Sequence, residues 1–334
     1  MKYIDAVHAL GSGLAISRAR IAEQLAVTDL TAWRTAPLML TGMGASYNAI
    51  ATALPLYRDR LARPVCPYLA SDLLAEIPVP GAERPAVIAV SQSGQSREVV
   101  EALAKAPGKT RLGLTAEVGA ALQSVVDVVV DLSVSEDSPV RVIGYAASVQ
   151  ALILISEALA GTSLGAESAD NLPDVVEECI EAAERAAEEF LGDGPCPVSV
   201  DFVGTGSHAG TAAQGALLVR EACRVHAAGY DTYQYLHGPI EVVHPGTALV
   251  AVGSDREVRL ARSLSHAGAR VLLVTGADVE PEAGMTVLRP PGLQPPLSWL
   301  PAVVALQVLA WVTAQRLGLT VETFQHHQDD TKVG

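Results

Sequence analysis

The chain has 334 residues and a formal net charge of −14, with 49% hydrophobic and 18% charged residues. This length suggests about two domains, and the acidic balance argues against a nucleic-acid-binding protein, which would need a basic patch. Aromatic residues are scarce, at 4%, a composition typical of parallel sheets covered by helices on both faces. We expect no membrane-spanning stretch and no signal peptide, and therefore a cytoplasmic protein.

The first half of the chain alternates between predicted strands and helices. Its predicted strands are Leu38–Thr41, Val65–Leu69, Ala86–Val90, Arg111–Thr115 and Val125–Leu132. Its predicted helices are Tyr47–Leu61, Arg97–Lys105 and Tyr145–Leu159, after an amphipathic helix within residues 1–30. Such alternation implies right-handed crossovers and a parallel sheet.

The second half, which follows a charged helix predicted at Asp174–Leu191, has the same alternation. Its predicted strands are Val198–Val203, Asp231–Tyr235, Ala248–Gly253, Arg270–Thr275 and Met285–Arg289, with helices at Ala209–Val225 and Leu300–Gln315. We therefore divide the chain into a helical segment 1–30, a domain 31–165, a linker helix 166–192, a domain 193–320 and a tail 321–334.

The two halves also repeat each other at a fixed spacing. The glycine turn at Gly42 recurs at Gly204, and the strand that begins at Ala86 recurs at Ala248, both 162 residues further on. Self-similarity at a long fixed spacing indicates a duplicated architecture. The sequence thus predicts an α/β protein of two tandem domains, each a parallel sheet sandwiched by helices.

The loop Ser91–Ser96, SQSGQS, is the most specific site signal. It follows an apolar strand and precedes a helix, so hydroxyl and N–H groups converge on a helix N-terminus, where the macrodipole favours an anion. N-capping alone would need a single serine. We interpret this segment, named here the phosphate loop, as a phosphate site. The equivalent loop of the second copy, Gly253–Val258, reads GSDREV and has lost that character.

The two glycine turns lie between a strand and a helix. The first, Gly42–Ser46, opens a helix whose N–H groups would point toward a bound anion. The second, Gly204–Ala209, matches the dinucleotide fingerprint G-x-G-x-x-A, although a tight turn that needs glycine for backbone reasons is an equal interpretation. An NAD-dependent enzyme with Asp231 as ribose partner therefore remains one alternative.

Glu221 and His237 are the candidate proton-transfer residues. Helical spacing places Glu221 on one face with Gln214, Leu217 and Leu218, and a carboxyl buried there should have a raised pKa suited to proton transfer. A solvated glutamate is the alternative for Glu221. His237 lies in a Gly-Pro turn after a predicted strand, as a general acid or base or as a structural histidine. No metal is expected, because the adjacent histidines of the tail have poor ligand geometry.

Five segments together resemble the tandem sugar-isomerase (SIS) domain family. They are GMGASYNA (42–49), SQSGQS (91–96), GALLVREACRVHA (215–227), QYLHGP (234–239) and DDTKV (329–333). The chain is most similar to the isomerase half of glucosamine-6-phosphate synthase and to free-standing relatives that act on amino- or glycated sugar phosphates. The resemblance covers roughly residues 30–334 and implies two flavodoxin-like domains, a homodimer and no cofactor.

The resemblance also implies roles for individual residues. The sugar-phosphate ligands would be Gly44, Ala45, Ser46, Ser91, Gln92, Ser93 and Ser96. Glu221, sixteen residues before His237, would be the proton-shuttling glutamate. His237 would open the sugar ring, and in the synthase this histidine comes from the neighbouring subunit. Lys332 would be the C-terminal lysine that forms an imine with the substrate.

Some family positions differ in this chain. Leu218 and Gln214 replace a lysine and a second glutamate, Gln234 replaces a glutamate, and the N-terminal cysteine of a glutaminase domain has no counterpart. We therefore expect a phosphosugar isomerase acting on an amino- or glycated hexose 6-phosphate, with amine loss if the substrate carries one. We do not expect glutamine-dependent synthesis by this chain alone. A non-catalytic sensor of sugar phosphates is the alternative from another class.

Overall fold

The computed structural model describes residues 1–75, 85–105, 110–162, 171–293, 297–326 and 329–333. The chain forms two compact units. The first unit comprises Gly13–Ser135, Ile143–Ala166 and Gln325–Gly334, and the second comprises Met1–Ser12, Glu136–Val142 and Glu167–Phe324. The segment predicted as 1–30 is thus divided at Ser12. The predicted boundary at residue 165 lies outside the described residues.

The first unit contains a parallel five-stranded sheet in the order β2-β1-β3-β4-β5. Its strands are β1 (Leu38–Gly42), β2 (Val65–Leu69), β3 (Ala86–Val90), β4 (Arg111–Thr115) and β5 (Val128–Asp131). The helices of the chain up to residue 162 are α1 (Tyr3–His8), α2 (Leu10–Val27), α3 (Thr31–Thr35), α4 (Gly44–Arg60), α5 (Ala70–Leu74), α6 (Arg97–Ala104) and α7 (Ile143–Ala160).

The second unit repeats this arrangement. Its strands are β6 (Ser199–Gly204), β7 (His226–Asp231), β8 (Thr247–Val252), β9 (Arg270–Val274) and β10 (Met285–Leu288). They form a parallel sheet in the order β7-β6-β8-β9-β10, the flavodoxin-like order of the first sheet. Its helices are α8 (Leu172–Leu191), α9 (Ser207–Leu218), α10 (Thr232–Tyr235), α11 (Asp255–His266) and α12 (Leu300–Arg316). The predicted α/β fold with two tandem domains is confirmed.

Burial explains why the central strands are continuous apolar runs. Every residue of β1, β3 and β8 is buried, as expected where helices cover both faces of a parallel sheet. Among the described helices, α7 is long and apolar enough to cross a membrane, contrary to our expectation from the sequence. However, 89% of it is buried inside the protein, as in a core helix that is apolar on all sides.

The strand predicted at Asp231–Tyr235 is wrong. The strand there is β7, and it ends at Asp231, whose carboxylate accepts hydrogen bonds from the N–H groups of Tyr233 and Gln234. Asp231 is therefore the N-cap of α10, and the tyrosines that suggested a strand belong to a helical turn. The first-half strand predicted at Val125–Leu132 is shorter than expected, because a 3₁₀ turn occupies Ala121–Val125.

Candidate functional site

The phosphate loop lies at the point where the strand order of the first sheet reverses. The strands β2 and β3 lie on opposite sides of β1, and the parallel pairing of Thr41 with Ala89 brings the carboxyl ends of β1 and β3 together. Open α/β sheets bind ligands in the crevice outside these ends. Two segments border it, the start of α4 at 43–46 and the loop 91–96.

The turn after β1 depends on a close approach at Gly42. A Cβ atom at Gly42 would lie 3.1 Å from the Cβ of Ser46 and 3.1 Å from the carbonyl oxygen of Val90. Gly44, with φ of +51°, begins α4. The absent side chain at Gly42 therefore lets Ser46, at the start of α4, lie beside the end of β3, as the predicted phosphate site requires.

Hydrogen bonds hold the phosphate loop in a defined conformation. Ser91 is completely buried, and its Oγ donates to Ser96 Oγ at 3.0 Å and accepts from the Ser96 N–H at 3.4 Å. The Gln95 N–H donates to Ser93 Oγ at 3.3 Å. Gly94 has φ of +61°, and a Cβ there would be 2.6 Å from that of Ala120. These contacts define the conformation of the loop, in which Gln92, Ser93 and Ser96 are half-buried at its surface.

The C-terminal tail of the first unit contacts this loop. Lys332 forms an antiparallel bridge with Ser96, and the Val333 N–H donates to the Gln95 carbonyl at 2.9 Å. The Arg97 guanidinium donates through Nε to the carbonyl of Asp330 at 2.6 Å and through Nη2 to that of Lys332 at 3.2 Å. The structure thus brings Lys332 and the phosphate loop together.

Arg97 is a residue that the sequence interpretation missed. It is the first residue of α6, where the macrodipole disfavours a cation. An arginine directly after the phosphate loop is therefore unfavourable for the helix, and this position could have indicated that the side chain has another role. Its exposed side chain holds the backbone of the tail through the two bonds to carbonyl oxygens.

Glu221 belongs to the second unit and lies in a π-helical turn, Val219–Cys223, which follows α9 directly. Burial raises the pKa of the Glu221 carboxyl to about 7, against a smaller lowering effect of Arg220. Such π-helical turns occur often at functional sites. The helix predicted at Ala209–Val225 therefore ends early, and the expected rise in the pKa of Glu221 is present.

The residues three and seven positions before Glu221 are uncharged and buried. On α9, Leu218 and Gln214 are buried at 1% and 2% exposure. The two departures from the family therefore add to the burial of this region and bring no charge to it. Tyr3, also buried, comes close enough that the charge of Glu221 adds to the rise in the pKa of its hydroxyl, which burial mainly causes. Its hydroxyl donates to the carbonyl of Gln307 at 3.1 Å.

His237 lies in the second unit, in the turn after α10 and not at the end of a strand as predicted. The backbone N–H of His237 donates to the backbone carbonyl of Gln234 at 3.1 Å, and the imidazole side chain is exposed. Gly238, with φ of +136°, follows it. The first unit therefore holds the predicted phosphate ligands and Lys332, whereas the second holds Glu221 and His237, and the catalytic roles of these residues stay predictions.

The second glycine turn does not favour a dinucleotide. The buried Glu257 carboxylate accepts from the hydroxyl of Thr205 at 2.7 Å, within the turn that would have to hold a pyrophosphate. The Asp231 carboxylate is already engaged as the N-cap of α10. Within the described residues, no group of three or more His, Cys, Asp or Glu side chains could hold a metal ion.

The chain is similar in sequence to isomerizing glutamine–fructose-6-phosphate aminotransferases. It is 31% identical over 266 residues to the protein of Gloeobacter violaceus, a match that covers 73% of this chain and 43% of the relative. It is 29% identical over 279 residues to that of Aeropyrum pernix, covering 76% and 44%. The chain therefore spans less than half the length of these relatives. No family model matches the chain.

Several solved structures share the fold over nearly the whole chain. The C-terminal domain of glucosamine–fructose-6-phosphate aminotransferase from Francisella tularensis has a TM-score of 0.78 at 18% identity, covering 96% of this chain and 97% of that one. Tagatose-6-phosphate ketose/aldose isomerase from Escherichia coli has a TM-score of 0.77 at 16% identity, covering 98% and 96%. Glucosamine-6-phosphate deaminase from Thermotoga maritima has a TM-score of 0.71 at 20% identity, covering 95% and 97%.

Proposed function

We propose that this chain, a tandem SIS-domain protein by its fold and its sequence relatives, is a phosphosugar isomerase that acts on an amino- or glycated hexose 6-phosphate. The reaction is an aldose–ketose isomerisation, with loss of the amine when the substrate carries one. The bridge between Lys332 and Ser96 carries this proposal, because it brings a lysine of the tail to the loop that is predicted to bind phosphate. The similar proteins described above have names that refer to fructose, tagatose and glucosamine 6-phosphates.

The hydrogen-bond donors of the phosphate loop in the first unit support this proposal. The half-buried hydroxyls of Ser93 and Ser96 and the N-terminus of α6 offer hydrogen-bond donors and a favourable dipole to a phosphate group. The Arg97 guanidinium is hydrogen-bonded to the tail, so hydroxyl and N–H groups supply most of the contacts to the phosphate. The sugar phosphate is held at its 6-position, and that binding energy positions the carbons at the other end of the sugar.

The remaining residues supply the proton transfers and the nucleophile. His237, contributed by a partner subunit in the proposed homodimer, moves a proton from the anomeric hydroxyl to the ring oxygen and so opens the ring. The Lys332 amine adds to the open-chain carbonyl, and loss of water leaves an imine. Water hydrolyses this imine, which frees the lysine and returns the carbonyl. Glu221 then takes a proton from one of the carbons C1 and C2 and returns it to the other, through an enediol or, when the substrate carries an amine, through an enamine. In the second case water hydrolyses the resulting imine of the substrate and releases the amine. A pKa of about 7 lets Glu221 both accept and donate near neutral pH.

A substrate screen tests the proposal. The 6-phosphates of glucosamine, galactosamine, fructose and a fructosyl amino acid are incubated with the full chain, and aldose–ketose conversion and amine release are measured. Turnover of one or more of these compounds is expected. If the chain bound them without converting any, it would be a sensor. Thermal stabilisation by NAD but by none of these compounds would support a dehydrogenase.

A further inference from the structure

The second unit has a crevice of its own at the carboxyl edge of its sheet. A cavity of about 570 Å³ lies beyond the ends of β6, β8 and β9, at the point where the strand order of the second sheet reverses. This is the position where open α/β sheets bind ligands, and the volume lies within the ordinary range for small-molecule sites. We name it the second crevice, and its polar lining consists of Thr205, His208, Ser254, Glu257, Thr275 and Ser298.

Glu257 gives this crevice a buried acidic side chain. The residue is 4% exposed, and its Oε1 accepts from Thr205 Oγ1 at 2.7 Å and from Thr232 Oγ1 at 2.5 Å. A Cβ atom at Gly253 would lie 2.6 Å from Oε2, so the carboxylate lies directly against the loop after β8. That loop is the counterpart of the phosphate loop. A carboxylate thus occupies the edge at which the first unit presents serine hydroxyls.

His208 adds a buried ring nitrogen to the second crevice. Its Nδ1 atom is buried and has no hydrogen-bond partner among the described residues. Burial lowers the pKa of the imidazole more than the neighbouring Glu257 raises it. The ring is therefore neutral at pH 7 and brings no positive charge that would offset the carboxylate. Among the described residues that line the second crevice, none is lysine or arginine.

We propose that the second crevice is a binding site for a small compound that carries a primary ammonium group and hydroxyl groups. The carboxylate of Glu257 would pair with the ammonium group, because a buried carboxylate attracts a cation and repels an anion. The hydroxyls of Thr205 and Ser254 and the imidazole of His208 would bind the hydroxyl groups of the ligand. This site is independent of the phosphate loop, and its ligand needs no phosphate.

Glucosamine and glucose are suitable probes, because they differ only in an ammonium group that replaces a hydroxyl. Isothermal titration of the full chain should show glucosamine binding about tenfold or more tighter than glucose. The substitution Glu257→Gln should remove this preference, whereas Glu280→Gln, at an exposed glutamate of the second unit, should retain it. Ser93→Ala, in the phosphate loop, should leave glucosamine binding unchanged.

Gly276→Leu provides a second variant, since Glu257 also accepts two buried hydrogen bonds. A Cβ atom at Gly276, which lines the second crevice, meets no atom within 4 Å, so a side chain can be added without a clash at the backbone. Gly276→Leu should weaken glucosamine binding at least tenfold in a folded protein. The proposal is overturned by equal binding of the two sugars or by no binding of glucosamine. It is also overturned if glucosamine binding is lost in Ser93→Ala or kept in both Glu257→Gln and Gly276→Leu.

Discussion

Lys332 pairs with Ser96 through the backbone, although 236 positions separate them in the sequence. The bridge brings the tail beside the phosphate loop within the first unit. The Val333 N–H extends this pairing through its bond to the carbonyl of Gln95. The lysine and the loop therefore form one structural element, and a substitution that displaces one should also displace the other.

Removal of the Arg97 side chain should release the tail. Arg97→Ala loses the bonds to the carbonyls of Asp330 and Lys332, so Lys332 would no longer be held at the loop. Turnover of the substrate found in the screen should fall about a hundredfold, as for other misplaced catalytic groups, while affinity for inorganic phosphate changes little. Hydrogen exchange at the Val333 amide should accelerate.

Arg34→Ala, at an exposed arginine on α3, is the control for this prediction. Equal effects of the two substitutions would contradict the role of Arg97 in holding the tail.

Lys332 should be trapped as a covalent adduct during turnover. An imine between its amine and an open-chain sugar phosphate is reduced by borohydride to a stable secondary amine. Mass spectrometry of the peptide that contains Lys332 should show the added mass of the reduced sugar phosphate. The same treatment of Lys332→Arg should give no adduct, and an adduct found only on Lys105 would assign the nucleophile elsewhere.

Substitution of Gly94 should reduce stability and phosphate binding more than substitution of Gly161. Both have a positive φ, of +61° and +69°, but a Cβ at Gly94 would be 2.6 Å from that of Ala120, whereas one at Gly161 meets nothing within 4 Å. Gly94→Ala should therefore weaken phosphate binding and destabilise the protein by about 1–3 kcal/mol more than Gly161→Ala. Phosphate titration and denaturant unfolding measure the two effects. Similar losses in both variants would show that the close contact is unimportant.

Glu221 should make stability depend on pH. Its pKa is raised from 4.5 to about 7 in the folded protein, so between these values the folded state keeps a proton that the unfolded state has lost. The free energy of unfolding therefore falls as pH rises through this window, and the loss is complete above pH 7. Glu221→Gln removes the charge. The free energy of unfolding of this variant, relative to that of the wild type, should therefore rise by on the order of 3 kcal/mol from pH 4 to pH 8.

Denaturant unfolding of the wild type and of Glu221→Gln, at pH 4 and at pH 8, measures this difference in the free energy of unfolding. Glu181→Gln, at an exposed glutamate on α8, is the matched control and should show no such gain. A gain of the same size in both variants would indicate a general charge effect of the acidic chain. No gain in Glu221→Gln would mean that the Glu221 carboxyl is not buried in solution.

The duplicated sheets were predictable because their central strands are short apolar runs followed by glycine or serine turns. The strand Ala86–Val90 and the loop after it illustrate this, since every signal lies within a few residues. Prediction failed at Asp231, where one hydrogen-bonding side chain ended a strand and capped a helix. The π-helical turn that carries Glu221 was also missed, because its residues have the same apolar spacing as an α-helix.

The contact between Arg97 and the tail could not be predicted from local patterns. Its hydrogen bonds reach residues more than 200 positions away, and no helical or strand periodicity encodes such a pairing. The family resemblance did identify Lys332, because the terminal motif is itself a local signal. The hydrogen bonds from Thr205 and Thr232 to Glu257 are long-range in the same way, which explains why the second crevice was not expected.

The central claim is that Glu221 transfers a proton between C1 and C2 of a hexose 6-phosphate. NMR detection of deuterium uptake from D₂O at C1 of fructose 6-phosphate and C2 of glucosamine 6-phosphate measures this step directly. We expect the wild type to exchange one of these protons, at a rate that rises as pH passes through about 7. Glu221→Gln should bind the sugar phosphate but exchange at least about a thousandfold more slowly. Exchange by Glu221→Gln at the wild-type rate would contradict the account.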